Sequence, residues 1–146
     1  MAALRPLYLA DTSAWAQAGL DDRALDRMEQ LQRRGQLAIC SVTFAEMLYS
    51  ARNADDMAER IDEYRDLVHL PMNSAAERQV TASMVALAER GHHRRPVPDI
   101  LVSAVAWAHD AVLLHYDKDF DIIAEVTGQR AEWIVERGTG HRGLRR

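Results

Sequence analysis

The chain has one cysteine, one lysine and no apolar run near the roughly 18 residues that a bilayer-spanning helix needs. A lone cysteine, Cys40, excludes an internal disulfide. Lying in the apolar run Leu37 to Cys40, it reads as a small buried hydrophobe in a reducing compartment. The first six residues pass almost directly into a strand-like segment, so no signal peptide is expected and the expected location is the cytoplasm, with no membrane partner. Lys118 is the single lysine among 18 basic residues, which reads as the arginine bias of a GC-rich genome before it reads as phosphate recognition. Excess positive charge is also missing. The net charge is −4, and setting aside the +4 of Arg137, Arg142, Arg145 and Arg146 leaves −8 for the remainder. Much of that acid falls on expected helix surfaces (Asp55, Asp56, Glu59, Asp62, Glu63, Asp66), which argues against nonspecific coating of nucleic acid.

What is present is an ordinary globular composition, 48% hydrophobic over 146 residues, enough for one domain with a buried core. Short apolar runs at Leu7–Ala10, Leu37–Cys40, Val68–Met72, Ala111 onward and Ala131–Val135 read as strands. Between them the apolar spacing predicts helices starting at Asp21 or Asp22, over Ser41–Arg52 and Ala54–Val68, from a capping box at Ser74-Ala-Ala-Glu77, over Asp99–His109, and from about Phe120 to Val126. Strands alternating with helices imply an α/β fold with a parallel sheet covered on both faces. The domain is expected to span residues 1–136, with 137–146 a basic, disordered tail.

In a parallel sheet the carboxyl ends of the strands share one edge, where ligands bind. Asp11 and Asp117 each end an apolar strand, Asp99 opens the helix that feeds the second of these, and Glu46 lies about a turn into the helix after Leu37–Cys40. Each has a bland explanation. Glu46 fits a capping box with Thr43, Asp99 a helix-dipole acid, Asp11 an N-cap, and Asp119 and Asp121 caps of the last helix. Their common destination is what these explanations leave out. Clustered carboxylate oxygens select a hard cation, Mg²⁺ or Mn²⁺. A calcium loop beginning at Asp117 fails, because Ile122 and Gly128 stand where Gly and Glu belong. No serine–histidine or cysteine nucleophile is indicated. A carboxylate-held divalent cation beside a phosphodiester would activate water and neutralise charge on the phosphoryl group. A phosphoacceptor signalling domain would also gather acids around Mg²⁺, but it needs an acidic pair after its first strand, where this chain has Thr12 and Ser13.

Four blocks carry a resemblance: Leu9-Ala-Asp11-Thr-Ser13, Thr43-Phe-Ala-Glu46-Met-Leu, Pro98-Asp99-Ile-Leu-Val-Ser-Ala-Val-Ala106 and Leu113-Leu-His-Tyr-Asp117-Lys-Asp119-Phe120. In order and spacing they span about Leu7 to Val135, and the chain resembles PIN domains of the VapC ribonuclease toxin type. The resemblance implies a three-layer sandwich with a central parallel sheet of four to five short strands, and Mg²⁺- or Mn²⁺-dependent endonucleolytic cleavage of RNA. It also implies a homodimer, forming a heterotetramer or larger assembly with a cognate VapB-type antitoxin that blocks the acidic cleft. Carried over, Asp11, Glu46, Asp99 and Asp117 match the acidic quartet and Asp119 an additional acid, with Asp11, Asp99, Asp117 and Asp119 as metal holders. His115 departs from the hydroxyl residue found there in many relatives. Arg94, Arg95 and Arg142 are candidate RNA-backbone contacts. A PIN-like module that binds RNA or protein without cutting is the competing implication.

Overall fold

The apolar runs become five strands of three or four residues: β1 (Tyr8–Ala10), β2 (Leu37–Cys40), β3 (Val68–Leu70), β4 (Val112–His115) and β5 (Ala131–Trp133). The computed structural model describes residues 5–141. All pairings are parallel and the strand order is β3-β2-β1-β4-β5. From β1 the chain builds outward through β2 and β3, then returns to the other side of β1 for β4 and β5. The β1/β4 boundary is therefore the switch point, the position in such sheets where a crevice opens at the carboxyl edge.

Among the described residues, seven helices cover the sheet: α1 (Thr12–Ala18), α2 (Asp22–Arg33), α3 (Ser41–Tyr49), α4 (Ala54–Tyr64), α5 (Ser74–Glu89), α6 (Val97–Ala108) and α7 (Asp119–Thr127). Side-chain alternation along the strands divides the core in two. Leu9, Ala38, Leu70 and Leu113 pack with Ala76 and Leu87 of α5, Ile100, Val102 and Val105 of α6, and Phe120 and Ile123 of α7. Ala10, Leu37, Ile39 and Leu114 face the other way, against Ala14 of α1, Met28 and Leu31 of α2, and Tyr64 of α4. This is the expected three-layer α/β sandwich, with β2 and β4 buried along their whole length.

Several local expectations differ. Asn73, not Ser74, caps α5, its side chain accepting from the Ala76 N–H, so Ser74 is already helical. Asn is as good a cap as Ser, and the residue one place earlier took the role. The helix expected over Ala54–Val68 ends at Tyr64 because Val68 pairs with Ala38 in β3. Helix α6 begins at Val97, two residues before Asp99, with Pro98 in its first turn, where a missing N–H costs nothing. Helix α1 was too short to delineate by periodicity.

Leu114 is fully buried between β1 and the α1 layer, whereas Leu20 is half exposed. Leu114→Ala is expected to cost about 2–5 kcal/mol and Leu20→Ala less than about 0.5 kcal/mol in urea unfolding. Equal losses would contradict this division of core and surface.

Candidate metal centre

The exits of β1 and β4 are fastened together by one hydroxyl. The Asp11 N–H donates to the Leu114 carbonyl at 2.9 Å, continuing the ladder past the strand end. Asp11 caps α1, its Oδ2 accepting from the Ser13 N–H at 3.0 Å and the Ser13 hydroxyl at 2.7 Å. That hydroxyl oxygen accepts in turn from the Tyr116 N–H at 2.9 Å. Asp11 and the residue preceding Asp117 are thus tied to one atom. A Ser two residues after an Asp is an expected local turn partner, but its bond to Tyr116 crosses 103 residues and has no sequence signal.

Beyond Tyr116 the chain turns at once. The Asp117 N–H donates to Nδ1 of His115 at 3.1 Å, and the Asp119 N–H donates to Asp117 Oδ1 at 3.0 Å as α7 begins. Asp99 arrives in the first turn of α6. Asp99, Asp117 and Asp119 each offer one oxygen, all three within 4.8 Å of one another. Glu46 does not cap its helix. Cys40 occupies the N-cap position of α3, and Thr43 is buried with its hydroxyl 3.6 Å from the Cys40 sulfur. Glu46 Oε1 instead accepts from the Thr12 hydroxyl at 3.1 Å, placing it beside Asp11.

This density of carboxylates shows in their acidity. Burial, then the neighbouring charges of Asp11, Asp117, Asp119 and Glu46, push the Asp99 carboxyl up to about 7 from an ordinary 3.8. Burial also raises Asp11, and Asp117 adds to the rise, although the Ser13 hydrogen bonds oppose it. Partial compensation comes from the N-termini of α6 and α7, where Asp99, Asp119 and Asp121 lie in the first turns. It also comes from Arg95, whose Nη1 is 2.9 Å from Asp119 Oδ1.

The donor set fits a hard divalent cation. It is all carboxylate oxygen and partly open to solvent, and Asp119 already holds a cationic group. Oxygens around Mg²⁺ at about 2.1 Å stand about 3–4 Å apart, so a small contraction brings the three together. Asp99, Asp117 and Asp119 would hold it; Asp11 adjoins them, but its Oδ2 is committed to Ser13.

His115 is fully buried. Its Nδ1 accepts from Asp117, so the neutral ring carries its proton on Nε2, and burial holds its pKa down near about 4. The ring packs on Phe120 and Trp133, with centroids 5.1 and 4.9 Å away. Asp121 stands apart from the triad. It accepts from the Trp133 indole N–H at 3.0 Å, tying α7 to β5. Arg94 is exposed on the loop before α6, and Arg142 lies outside the described residues. Trp15 meets Tyr64 edge-on at 4.8 Å and lines a pocket of about 390 Å³ with Thr12, Met47 and Arg60.

A switch-point crevice lined by carboxylates on a short-stranded parallel sheet is the architecture of a PIN domain, and the PIN-domain family profile matches residues 8–126. The chain belongs to that family. Within it the similarity is to the VapC ribonucleases. Ribonuclease VapC51 of Mycobacterium tuberculosis is 36% identical over 133 residues, covering 90% of this chain and 96% of its own. Ribonuclease VapC21 of the same species is 38% identical over 135 residues, again 90% and 96% of the two chains. Among solved structures, VapBC-5 of M. tuberculosis, from the VapBC family of toxin–antitoxin systems, matches with a TM-score of 0.62 and 27% identity, over 88% of this chain and 98% of that one. VapBC2 of Rickettsia felis matches in fold, with a TM-score of 0.73 at 18% identity over 87% and 98%.

A raised Asp99 pKa means that the folded protein holds this proton more tightly than the unfolded chain. The ionised carboxylate therefore costs stability as pH rises from 3.8 to about 7, and the full cost remains above that. In metal-free protein at pH 8, Asp99→Asn is expected to melt higher by at least about 2 °C, with the margin shrinking toward pH 5. A lower melting temperature at pH 8 would contradict this cost of burial and neighbouring charge.

Proposed function

We propose that the protein is a VapC-type toxin, an endoribonuclease that uses Mg²⁺, or Mn²⁺ in its place, to cleave RNA phosphodiesters. The convergence of Asp99, Asp117 and Asp119 carries this reading, because three carboxylates are brought together against their own repulsion. A module that only binds RNA or protein has no use for that cost. The VapC relatives are ribonucleases by name, and they align over nearly their whole length.

In this reading Asp99, Asp117 and Asp119 would hold the cation and Asp11 would complete the set from β1. A cation held there would supply water acidic enough to attack near neutral pH and would neutralise charge on the phosphoryl group. Asp99, with its carboxyl near 7, carries a proton that it would have to give up to hold the cation. Glu46, steadied by the Thr12 hydroxyl, orients the attacking water. His115 keeps Asp117 in place through the Asp117 N–H, and Ser13 does the same for Asp11. Cleavage leaves a 5′-phosphate and a 3′-hydroxyl. Arg94, Arg95 and Arg142 contact the RNA backbone, the last from a basic segment (137–146) that follows a single domain of residues 1–136.

The partner in this reading is a cognate VapB-type antitoxin that covers the acidic cleft, in a heterotetramer or larger assembly built on a toxin homodimer. Solved structures of the same fold are of VapBC toxin–antitoxin systems. No helix among the described residues is long and apolar enough to cross a membrane, which agrees with a cytoplasmic protein acting on RNA.

Purified protein incubated with total RNA is expected to cut it with Mg²⁺ or Mn²⁺ and not in excess EDTA. Asp99→Asn is expected to lose at least about a hundredfold in rate, by analogy with loss of an electrostatic stabiliser. Full cleavage in EDTA, or by Asp99→Asn, would overturn the metal–carboxylate mechanism.

A further inference from the structure

Among the described residues, Asp11, Glu46, Asp99, Asp117 and Asp119 make one ion pair between them, that of Asp119 with Arg95. It spans 24 positions in sequence and is partly shielded, the side chains being 25% and 22% exposed. Arg95 immediately precedes Pro96, the N-cap residue of α6, and Asp99 lies three residues further on. The residue before a proline is steered away from helical backbone, which limits how the arginine leaves the loop. Its guanidinium is thereby tied to the helix that delivers one metal-holding acid while it bonds to another.

The bond uses little of what the guanidinium offers. Of five N–H donors, one is engaged by a protein acceptor, and Nε is buried without a partner. A guanidinium satisfied by a structural carboxylate tends to form the two-pronged pair that Arg23 makes with Asp21, through Nε at 3.1 Å and Nη2 at 2.7 Å. The Arg95 contact is single-pronged and leaves most of a phosphate-binding fork unused. A divalent cation among Asp99, Asp117 and Asp119 would compete with Arg95 for Asp119 and repel its charge. The anionic oxygens of a bound phosphodiester are the remaining strong acceptors that the site would meet.

We propose that Arg95 is an exchangeable counter-ion of the acidic centre: it neutralises Asp119 while no divalent cation is held, and it transfers to a phosphate of bound RNA when one is. The proposal rests on the metal-dependent ribonuclease reading. It makes Arg95 a phosphate-binding residue whose contribution is coupled to the cation, unlike an arginine standing free on the surface.

The test combines two titrations of full-length protein, wild type, Arg95→Gln and Arg95→Lys. Metal-stripped protein is titrated with Mn²⁺ by calorimetry. A fluorescein-labelled, mixed-sequence single-stranded RNA is then titrated by anisotropy in EDTA and in saturating Mn²⁺. Removing the competing positive charge is expected to tighten Mn²⁺ binding by roughly three- to tenfold in Arg95→Gln, while Arg95→Lys stays near wild type. The RNA affinity of Arg95→Gln is expected to fall by roughly three- to tenfold with Mn²⁺ and to match wild type in EDTA, where Arg95 is occupied by Asp119. A residue needed only to hold the loop would weaken both ligands, and that result overturns the proposal, as does an RNA loss of equal size with and without Mn²⁺. Unchanged Mn²⁺ affinity in a folded Arg95→Gln also overturns it. Failure of wild-type protein to bind Mn²⁺ at all would instead overturn the ribonuclease reading beneath it. If Arg95→Gln does not fold, Arg95→Lys decides: it keeps the charge and loses the fork, so an RNA defect confined to Mn²⁺ supports the transfer and none overturns it.

Discussion

Repulsion among carboxylates is the constraint on which the rest of this structure depends. Asp11, Glu46, Asp99 and the Asp117/Asp119 pair come from four separate stretches of chain, and burial together with the neighbouring carboxylates pushes the Asp99 carboxyl up to about 7. Such an arrangement persists only if the elements delivering the acids are fixed by interactions unrelated to charge. The fully buried strands β2 and β4, and helix α6 with six buried residues, supply them. The scaffold is held by apolar burial on both faces of the sheet, and the acids are confined to one edge, where water and helix N-termini share the cost.

Within that edge the hydrogen bonds divide the acids by role. Asp11 is held by Ser13, and through the same hydroxyl the backbone leading to Asp117 is fixed in register with it. Asp117 is held from behind by His115. A hydroxyl at position 115 would offer a small acceptor; the imidazole supplies the acceptor and fills the space between Phe120 and Trp133 as well. The imidazole at position 115 therefore braces Asp117 without adding to the carboxylates. Asp121, a neighbour in sequence, braces the opposite end of the same turn through Trp133.

The legible part of the fold was the part governed by local rules. Short apolar runs of four to five residues flanked by helical spacing suffice to place all five strands, and the alternation of strand and helix implies a parallel sheet. Boundaries were less legible, because they answer to distant partners. The helix after Ala54 stops where Val68 is needed by Ala38, and Ser74 yields its capping role to the adjacent Asn73. Thr43 and Glu46 have the spacing of a capping pair, yet Thr43 turns its hydroxyl to Cys40 at the N-cap position, and Glu46 takes a tertiary partner, Thr12.

By itself the sequence determined which acids the chain carries and that the parallel strands deliver them to one edge, because strand direction and residue spacing are set by local backbone preference. Tertiary structure alone decided which oxygens meet. Asp99 closes on Asp117 and Asp119, Ser13 ties the Asp11 cap to the Tyr116 backbone, and Arg95 takes Asp119 rather than facing solvent. The physical reason is range. A carboxylate's orientation depends on partners brought within 3 Å by the packing of segments far apart in the chain, and residue spacing holds no record of that distance.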